Sequence, residues 1–239
     1  MRVSRKLITF FSKCPLKLIM ILLSLLTVSS ASAQTHYDAN VAIGAKAGMD
    51  FSRVFFTPHV TQSFNIGYTG GIMVRYVEEN HFGIIGELGF AQRGWKENFE
   101  GAPYNYARTT DYAELAALAH VFFGRRARFF FNAGPQVGLF LGEKTKANFN
   151  PDEMKTLPDF PNVNRINEQM LLPVSHKIDY GISAAAGVEF NFTKRNSIFV
   201  ECRFYFGLSN IMPSQRADYF NGSNQMSLSA TIGYWFRVK

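Results

Sequence analysis

Three residues of the types used in hydrolysis, Ser175, His176 and Asp179, lie close together in the second half of the chain. A hydrolytic triad uses a serine, a histidine that takes its proton and a carboxylate that orients the histidine. One function to consider is therefore a hydrolase whose active site lies at the end of the fold where these residues occur. A triad is recognised by geometry and not by sequence spacing, and such residues are also typical of a loop and strand end. We therefore predict a non-enzymatic protein without catalytic residues.

The sequence contains no motif for a cofactor or a metal. It has no phosphate-binding loop, no dinucleotide fingerprint and no histidine and cysteine set at ligand spacing. Gly67, Gly70 and Gly71 are close together, but they interrupt an alternating segment, where glycine eases the bending of a sheet. We expect no cofactor and no bound metal.

Charged residues recur at alternate positions of segments whose other positions are apolar. Four are cations and five are anions: Lys46, Arg75, Glu87, Arg93, Glu114, Asp179, Glu189, Glu201 and Arg203. Period-two alternation places them on one face of β-strands. Glu87 with Arg93 or Arg75, and Glu201 with Arg203 or Lys46, are candidate members of a network, but the sequence does not fix the pairs because the shear of the barrel is unknown. Because buried charges must be paired, we predict an ion-pair network that fills an interior.

Eight such alternating segments organise the chain. They begin near Val41, Ile66, Phe82, Tyr112, Arg128, Ile178, Ile198 and Met226. Three connections between them are tight turns at 78–81, 124–126 and 193–196. The other four are longer, and one extends from about Glu143 to His176. An even number of strands with short turns at one end and long loops at the other is typical of an outer-membrane barrel.

Two orientations of the alternating faces are possible. In a soluble barrel the apolar face would point inward, and eight strands leave too little space for so many large side chains. In a membrane barrel the apolar face meets lipid, and the small and charged residues face a narrow lumen. We therefore predict an all-β fold, an eight-stranded antiparallel up-and-down transmembrane β-barrel. Aromatic residues near both ends of the segments are expected to form interfacial girdles.

The long loops are the remaining candidates for contacts with partners. Aromatic residues that suit contact with protein or glycan are concentrated there: Trp95, Phe99, Tyr104, Tyr106 and Phe160. A hydrophobic loop that packs over the mouth of the barrel is the alternative interpretation. Long loops without regular structure are commonly functional or disordered.

The N-terminal segment 1–33 resembles a secretory signal peptide. It has a basic start, an apolar core and the small residues Ala31-Ser32-Ala33 before Gln34. It holds five basic and no acidic residues, so its removal lowers the net charge from +7 to +2. The high charge therefore gives no reason to expect nucleic-acid binding. Cys202 would remain alone, which excludes an internal disulfide in the barrel domain 34–239.

Several strings together resemble the PorT-like outer-membrane β-barrel proteins of Bacteroidetes-type bacteria, over essentially the whole mature chain. They are AIGAKAGMDFS at 42–52, GYTGG at 67–71, FGIIGELGFAQRG at 82–94, FFFNAGPQVG at 129–138, YGISAAAGVEF at 180–190 and ECRFYFGLSNI at 201–211. The founding member of that family is associated with protein secretion across the outer membrane. The resemblance implies the fold and location, and supplies no catalytic residue.

These observations lead to one principal prediction and two alternatives. We predict a monomeric outer-membrane barrel with periplasmic termini and extracellular long loops. Its partners would be outer-membrane lipid and other envelope or secretion proteins, and its role that of an accessory or scaffold of protein export or surface assembly. The alternatives are a narrow porin-like channel for small solutes and the rim-located hydrolase.

Overall fold

The computed structural model describes residues 40–161, 165–214 and 218–238. The predicted signal peptide, 1–33, lies outside these residues. Nine strands follow one another: β1 Asn40–Thr57, β2 Gln62–Ser63, β3 Asn65–Val77, β4 Phe82–Glu97, β5 Tyr106–Gly124, β6 Ala127–Ala147, β7 Ile178–Asn191, β8 Asn196–Asn210 and β9 Gly222–Arg237. Two short 3-10 helices, Pro151–Thr156 and Glu168–Met170, lie in the connection between β6 and β7.

Eight long strands close into a ring. Each long strand pairs antiparallel with the next one along the chain, and β1 pairs with β9 from Ala42–Arg237 to Thr57–Gly222. The two-residue β2 adds only a short pairing to the end of β4. Closure removes the unpaired edges that an open sheet would expose, which a structure in lipid requires. The predicted eight-stranded, up-and-down antiparallel barrel is confirmed.

The faces of the barrel are divided as the alternation predicted. Outward apolar side chains are strongly exposed, for example Ile72 at 63%, Leu115 at 62% and Ile232 at 60%. Their neighbours Met73 and Ala116 are buried in the lumen. Leu, Ile and Phe side chains this exposed would be unfavourable in water, and they are stable where lipid replaces water.

Several strands extend beyond the predicted segments at the end that carries the long loops, which we call the long-loop end. β5 begins at Tyr106, not near Tyr112, and β9 begins at Gly222, not near Met226. About 9–11 strand residues are enough to span a bilayer, and only these need the strong apolar alternation that marked the predicted segments. β5 has 19 residues, so part of it continues beyond the apolar band. In the added part of β5 the buried Tyr106 and Thr110 alternate with partly exposed residues that are not strongly apolar.

The opposite end of the barrel, called the short-turn end, has turns at 78–81, 125–126 and 192–195. Among the described residues, no helix has the length and apolar character needed to span a membrane.

Candidate functional site in the lumen

Four charged side chains meet at mid-height of the lumen and form the ionic core: Lys46, Glu87, Glu201 and Arg203. Lys46 Nζ lies 3.0 Å from Glu87 Oε2 and 3.1 Å from Glu201 Oε1. Arg203 donates to both oxygens of Glu87, at 2.6 and 2.7 Å, and its Nη2 lies 2.9 Å from Glu201 Oε1. These side chains come from β1, β4 and β8, so the core ties opposite walls of the barrel together.

Neutral side chains extend the ionic core toward β5 and β6. Asn132 Nδ2 donates to Glu201 Oε2 at 2.9 Å, and the His120 Nδ1 and Asn132 Oδ1 atoms are 2.7 Å apart. Both side chains are buried. Satisfied hydrogen bonds on each carboxylate offset part of the cost of removing the charges from water.

Two further ion-pair groups lie above and below the ionic core. Toward the short-turn end, Arg75 makes a bidentate pair with Glu189, and its guanidinium lies 4.6 Å from the Trp235 ring centroid. Toward the long-loop end, Arg93 contacts Glu114 and lies 3.3 Å from Asp179 Oδ2. All nine predicted lumen charges therefore point inward and participate in one of the three groups.

The partners of Glu201 agree with the candidate pairs, but those of Glu87 do not. Arg93 is six residues farther along β4 than Glu87, which corresponds to about 20 Å at about 3.3 Å per residue. The two side chains cannot span that distance. Arg75 is directed toward Glu189 on the far wall. Glu87 pairs with Lys46 and Arg203 and with neither of these candidates, because the shear of the barrel, and not closeness in sequence, determines which side chains meet.

One lumen carboxylate was missed in the sequence. Asp50 continues the inward series of β1 and is only 2% exposed. Its Oδ2 atom has no hydrogen-bond partner among the described residues. The signal was the same alternation that identified Lys46, extended by four residues toward the long-loop end.

An aromatic layer, which we call the floor, closes the lumen below the ionic core. Phe122, Phe130, Phe199 and Trp235 are buried here together with Met73, Ile85 and Leu118. Phe199 packs on Trp235 with ring centroids 5.7 Å apart, and Phe130 meets Phe199 edge to face at 6.0 Å. Phe122 and Trp235, aromatic residues near the short turns, were expected in an interfacial girdle. They point inward because Phe122 lies on the same face of β5 as Glu114, and Trp235 lies on the same face of β9 as the buried Thr231.

A second hydrophobic layer, the cap, covers the long-loop end. Strand ends and loops contribute its buried members: Val54, Phe56, Val60, Trp95, Phe99, Tyr106, Met154, Phe160, Met170, Val174, Ile211, Met212 and Phe220. Trp95 and Phe56 pack edge to face at 5.5 Å. The 3-10 helices supply Met154 and Met170, so the connection between β6 and β7 folds back over the mouth.

Polar contacts fix this connection to the barrel. The Glu97 carboxylate accepts hydrogen bonds from Arg165 at 2.7 Å, from Gln169 at 3.0 Å and from Trp95 at 3.1 Å. Burial raises the pKa of Glu97 above its ordinary value, and these donors oppose the rise. Arg108 donates to the carbonyls of Leu172 and Met170, at 2.6 and 3.4 Å.

The five aromatic residues predicted for surface contact belong to the cap or pack against it. Trp95, Phe99, Tyr106 and Phe160 are at most 7% exposed, and Tyr104 is half-buried. Their side chains are therefore not available to a partner in this conformation. They are buried because the loops bring them together over the apolar mouth, which is the alternative that the sequence left open.

The Ser175, His176 and Asp179 set is not assembled. Asp179 points into the lumen, where it accepts hydrogen bonds from Tyr205 at 2.9 Å and from Ser209 at 2.5 Å. His176 is exposed at the rim. Among the described residues, no three His, Cys, Asp or Glu side chains are grouped to hold a metal ion.

Little space remains around the ionic core. A cavity of about 30 Å³ lies between Asp50, Arg93 and Arg203, and one of about 10 Å³ lies between Glu201 and the floor. A water molecule needs about 10–15 Å³ by this measure, so the larger cavity admits about two waters. The polar lumen is thus filled mainly by side chains.

Comparison with known proteins identifies the type of domain. A family model described as an outer membrane protein beta-barrel domain matches residues 32–212. No curated protein sequence matches the chain. Three of the solved structures that align with it show the range of similarity. Ail, the attachment invasion locus protein of Yersinia pestis, has 14% identity over 82% of this chain and 99% of that chain, with a TM-score of 0.40. Neisserial surface protein A has 11% identity over 82% of this chain and 97% of that chain (TM-score 0.41), and OprG from Pseudomonas aeruginosa has 10% identity over 83% of this chain and 95% of that chain (TM-score 0.48).

Proposed function

Because the chain belongs to the family of outer-membrane β-barrel proteins, we propose that it is a non-enzymatic, monomeric scaffold or accessory of protein export or surface assembly. The filled lumen carries this proposal. Cap, ionic core and floor occupy successive levels of the barrel, and the polar cavities at the core measure about 30 and 10 Å³. A barrel closed in this way acts through its surfaces and not through its interior.

The same layers argue against the narrow porin as a function. A conducting lumen needs a continuous path for water, whereas the ionic core bonds opposite walls directly. The separation of His176 from Asp179 likewise argues against the rim hydrolase. The resemblance of six strings to PorT-like proteins favours an export role, with segment 1–33 as a cleaved signal and 34–239 as the barrel domain.

We place the termini in the periplasm and the long loops outside the cell, since short turns face the periplasm in barrels of this type. The partner surface is then formed by apolar side chains that the cap leaves exposed. At the long-loop end these are Phe55 at 53%, Phe64 at 52%, Tyr219 at 48% and Leu171 at 43%. Phe64 also stacks under the Arg53 guanidinium at 5.5 Å. An exposed aromatic residue with an adjacent arginine suits a protein interface.

Cross-linking and pull-down from detergent-solubilised outer membrane test the proposal. We expect the wild-type chain to recover a defined envelope protein, and a variant without residues 148–177 to lose it. The double variant Phe64→Ser/Leu171→Asp changes only exposed side chains and is expected to lose the partner while the barrel stays folded. Failure of the wild-type chain to recover any partner would contradict the scaffold role.

A further inference from the structure

A β-bulge in β6 turns two lysines to the outside of the barrel at the long-loop end. The pairing of β5 with β6 shifts register between Asp111 and Tyr112, because Leu141 is an extra residue of β6. A shift of one residue moves the side chains of the rest of a strand to the opposite face. Beyond the bulge, Lys144 and Lys146 therefore face outward instead of toward the mouth of the barrel.

Contacts on both sides of the sheet agree with this change of face. Lys144, whose side chain is 71% exposed, has its Nζ atom 3.6 Å from Asp111 Oδ2. Arg108, which is directed toward the cap, has its Nε atom 3.8 Å from Glu143 Oε2. Glu143 and Lys144 are adjacent in the chain and thus lie on opposite faces of β6. Lys146, two residues farther along, shares the outer face with Lys144.

Lys96 on β4 is a third outward cation at the same level. Its neighbours Trp95 and Glu97 are buried on the cap side, so the exposed Lys96 points to the outer face. Lys96 and Lys146 both pair with Ala107, on the strand between them. Two inter-strand steps of about 4.8 Å place these lysines about 10 Å apart. The small side chain of Ala107 leaves space for a ligand group between their flexible stems.

The three lysines, called the lysine patch, lie just beyond the apolar outer band. The band ends on these strands at Phe90 and Leu141, which are 39% and 57% exposed, and Lys144 is three residues beyond Leu141. Lipid headgroups occupy this level of a bilayer. The lysines and their acidic neighbour Asp111 together carry a net charge of +2 (3 − 1). The other oxygen of Asp111 accepts a hydrogen bond from Gln92 at 2.9 Å.

We propose that the lysine patch binds a phosphate group of one phosphorylated glycolipid, whose acyl chains lie along the apolar band below it. A phosphate monoester carries about −1.5 to −2 charges near neutral pH, which complements the charge of the patch. A sugar headgroup also extends far enough from the acyl chains to reach lysines on two successive rows of the sheet. The inference rests on the proposed placement of the long loops outside the cell, because the glycolipid of an outer membrane lies in its outer leaflet.

Titration of the whole purified barrel in micelles with diphosphoryl lipid A, followed by native mass spectrometry, tests this site. We expect the wild-type chain to bind one molecule of this lipid. Lys96→Gln/Lys146→Gln should weaken binding about 25-fold, because each lysine beside an anionic headgroup contributes a factor of about five. Lipid A without its phosphates should bind the wild-type chain at least as weakly as diphosphoryl lipid A binds this variant.

Lys194→Gln/Arg195→Gln is the matched control, because it removes two exposed cations from a turn at the opposite end of the barrel. It should leave the affinity unchanged. Equal affinities of the wild-type chain and Lys96→Gln/Lys146→Gln would overturn the site. Equal losses in the two double variants would also overturn it, as would equally tight binding of phosphatidylglycerol, since both indicate general attraction of anionic lipid. The purified protein contains no export partner, so these outcomes are independent of the scaffold role.

Discussion

The ionic core and the cap both close the barrel, but they are built differently. The core is made of charged side chains on strands, whose positions are fixed by hydrogen-bonded register. The cap is made of apolar side chains contributed largely by loops and strand ends, and it is held by hydrogen bonds, among them those at Glu97 and Arg108. Loops open locally at lower free energy than barrel strands. The comparison indicates that the core sets the stability of the barrel, and the cap sets access to its mouth.

The largest effect is expected from Glu87→Ala, which leaves Lys46 and Arg203 facing each other without this carboxylate. Removal of one partner of a buried ion pair costs about 3–5 kcal/mol of unfolding free energy. Urea unfolding in detergent measures it. Glu78→Gln, in an exposed turn, is the control and should change stability by less than about 0.5 kcal/mol. Similar values for the two variants would mean that the core does not stabilise the barrel.

In the cap, Trp95→Ala should open the mouth without unfolding the barrel. Truncation of a buried tryptophan costs about 3–5 kcal/mol where the structure around it is rigid, and we expect about 3 kcal/mol here because loops can collapse. Hydrogen exchange should show the loss at residues 148–177 and not in β7 and β8. Phe64→Ala, exposed at the same end, should leave exchange unchanged. Uniform loss of protection would remove the distinction between cap and core.

A smaller loss of stability is expected when one hydrogen bond, and no charge, is removed from the ion-pair group of Arg93, Glu114 and Asp179. Tyr205→Phe removes the hydroxyl that donates to Asp179 at 2.9 Å. A hydrogen bond to a charged group contributes about 1.5–3 kcal/mol, so unfolding free energy should fall by about 2 kcal/mol. Tyr180→Phe, on the outer face of β7, should have no measurable effect. A null result for Tyr205→Phe would show that Arg93 and Ser209 together satisfy Asp179.

The smallest effect is expected from removing the hydrogen bonds that Arg108 donates to backbone carbonyls of the cap. Arg108→Met keeps the aliphatic stem and loses the bonds to the Leu172 and Met170 carbonyls, together with the 3.8 Å contact of Nε with Glu143 Oε2 on β6. We expect the free energy of opening the cap to fall by about 1 kcal/mol, and proteolytic cleavage within the connection 148–177 to become roughly fivefold faster. Lys96→Met, an exposed substitution on β4, should be cleaved at the wild-type rate. No change in Arg108→Met would assign the closure of the cap to apolar packing and to the contacts of Glu97.

The inward or outward position of strand residues could be predicted from the sequence, whereas the packing of the loops could not. A period of two fixes the face of every strand residue, so the alternation predicts an inward position for Lys46, Glu201 and Arg203. Which charges meet across the lumen depends on the shear of the closed barrel, which no local pattern encodes. The partners of Glu87, Lys46 and Arg203, could therefore not be derived from the sequence.

No local pattern in the sequence predicts the cap. Trp95 and Tyr106 occur in segments that are adjacent in the chain, and both interpretations, surface contact and packing over the mouth, fit their types. Only the return of Met154 and Met170 from the connection between β6 and β7 decides between them. Long-range loop packing has no periodic signature, in contrast to the alternation of the strands.

Planar-bilayer recording of the wild-type chain and of a variant without residues 148–177 tests the central claim most directly. The ionic core and the floor remain in both proteins, so both should insert without measurable ion conductance. Ohmic conductance from the wild-type chain would contradict a filled lumen. Conductance from the shortened variant alone would show that the cap, and not the ionic core, closes the barrel.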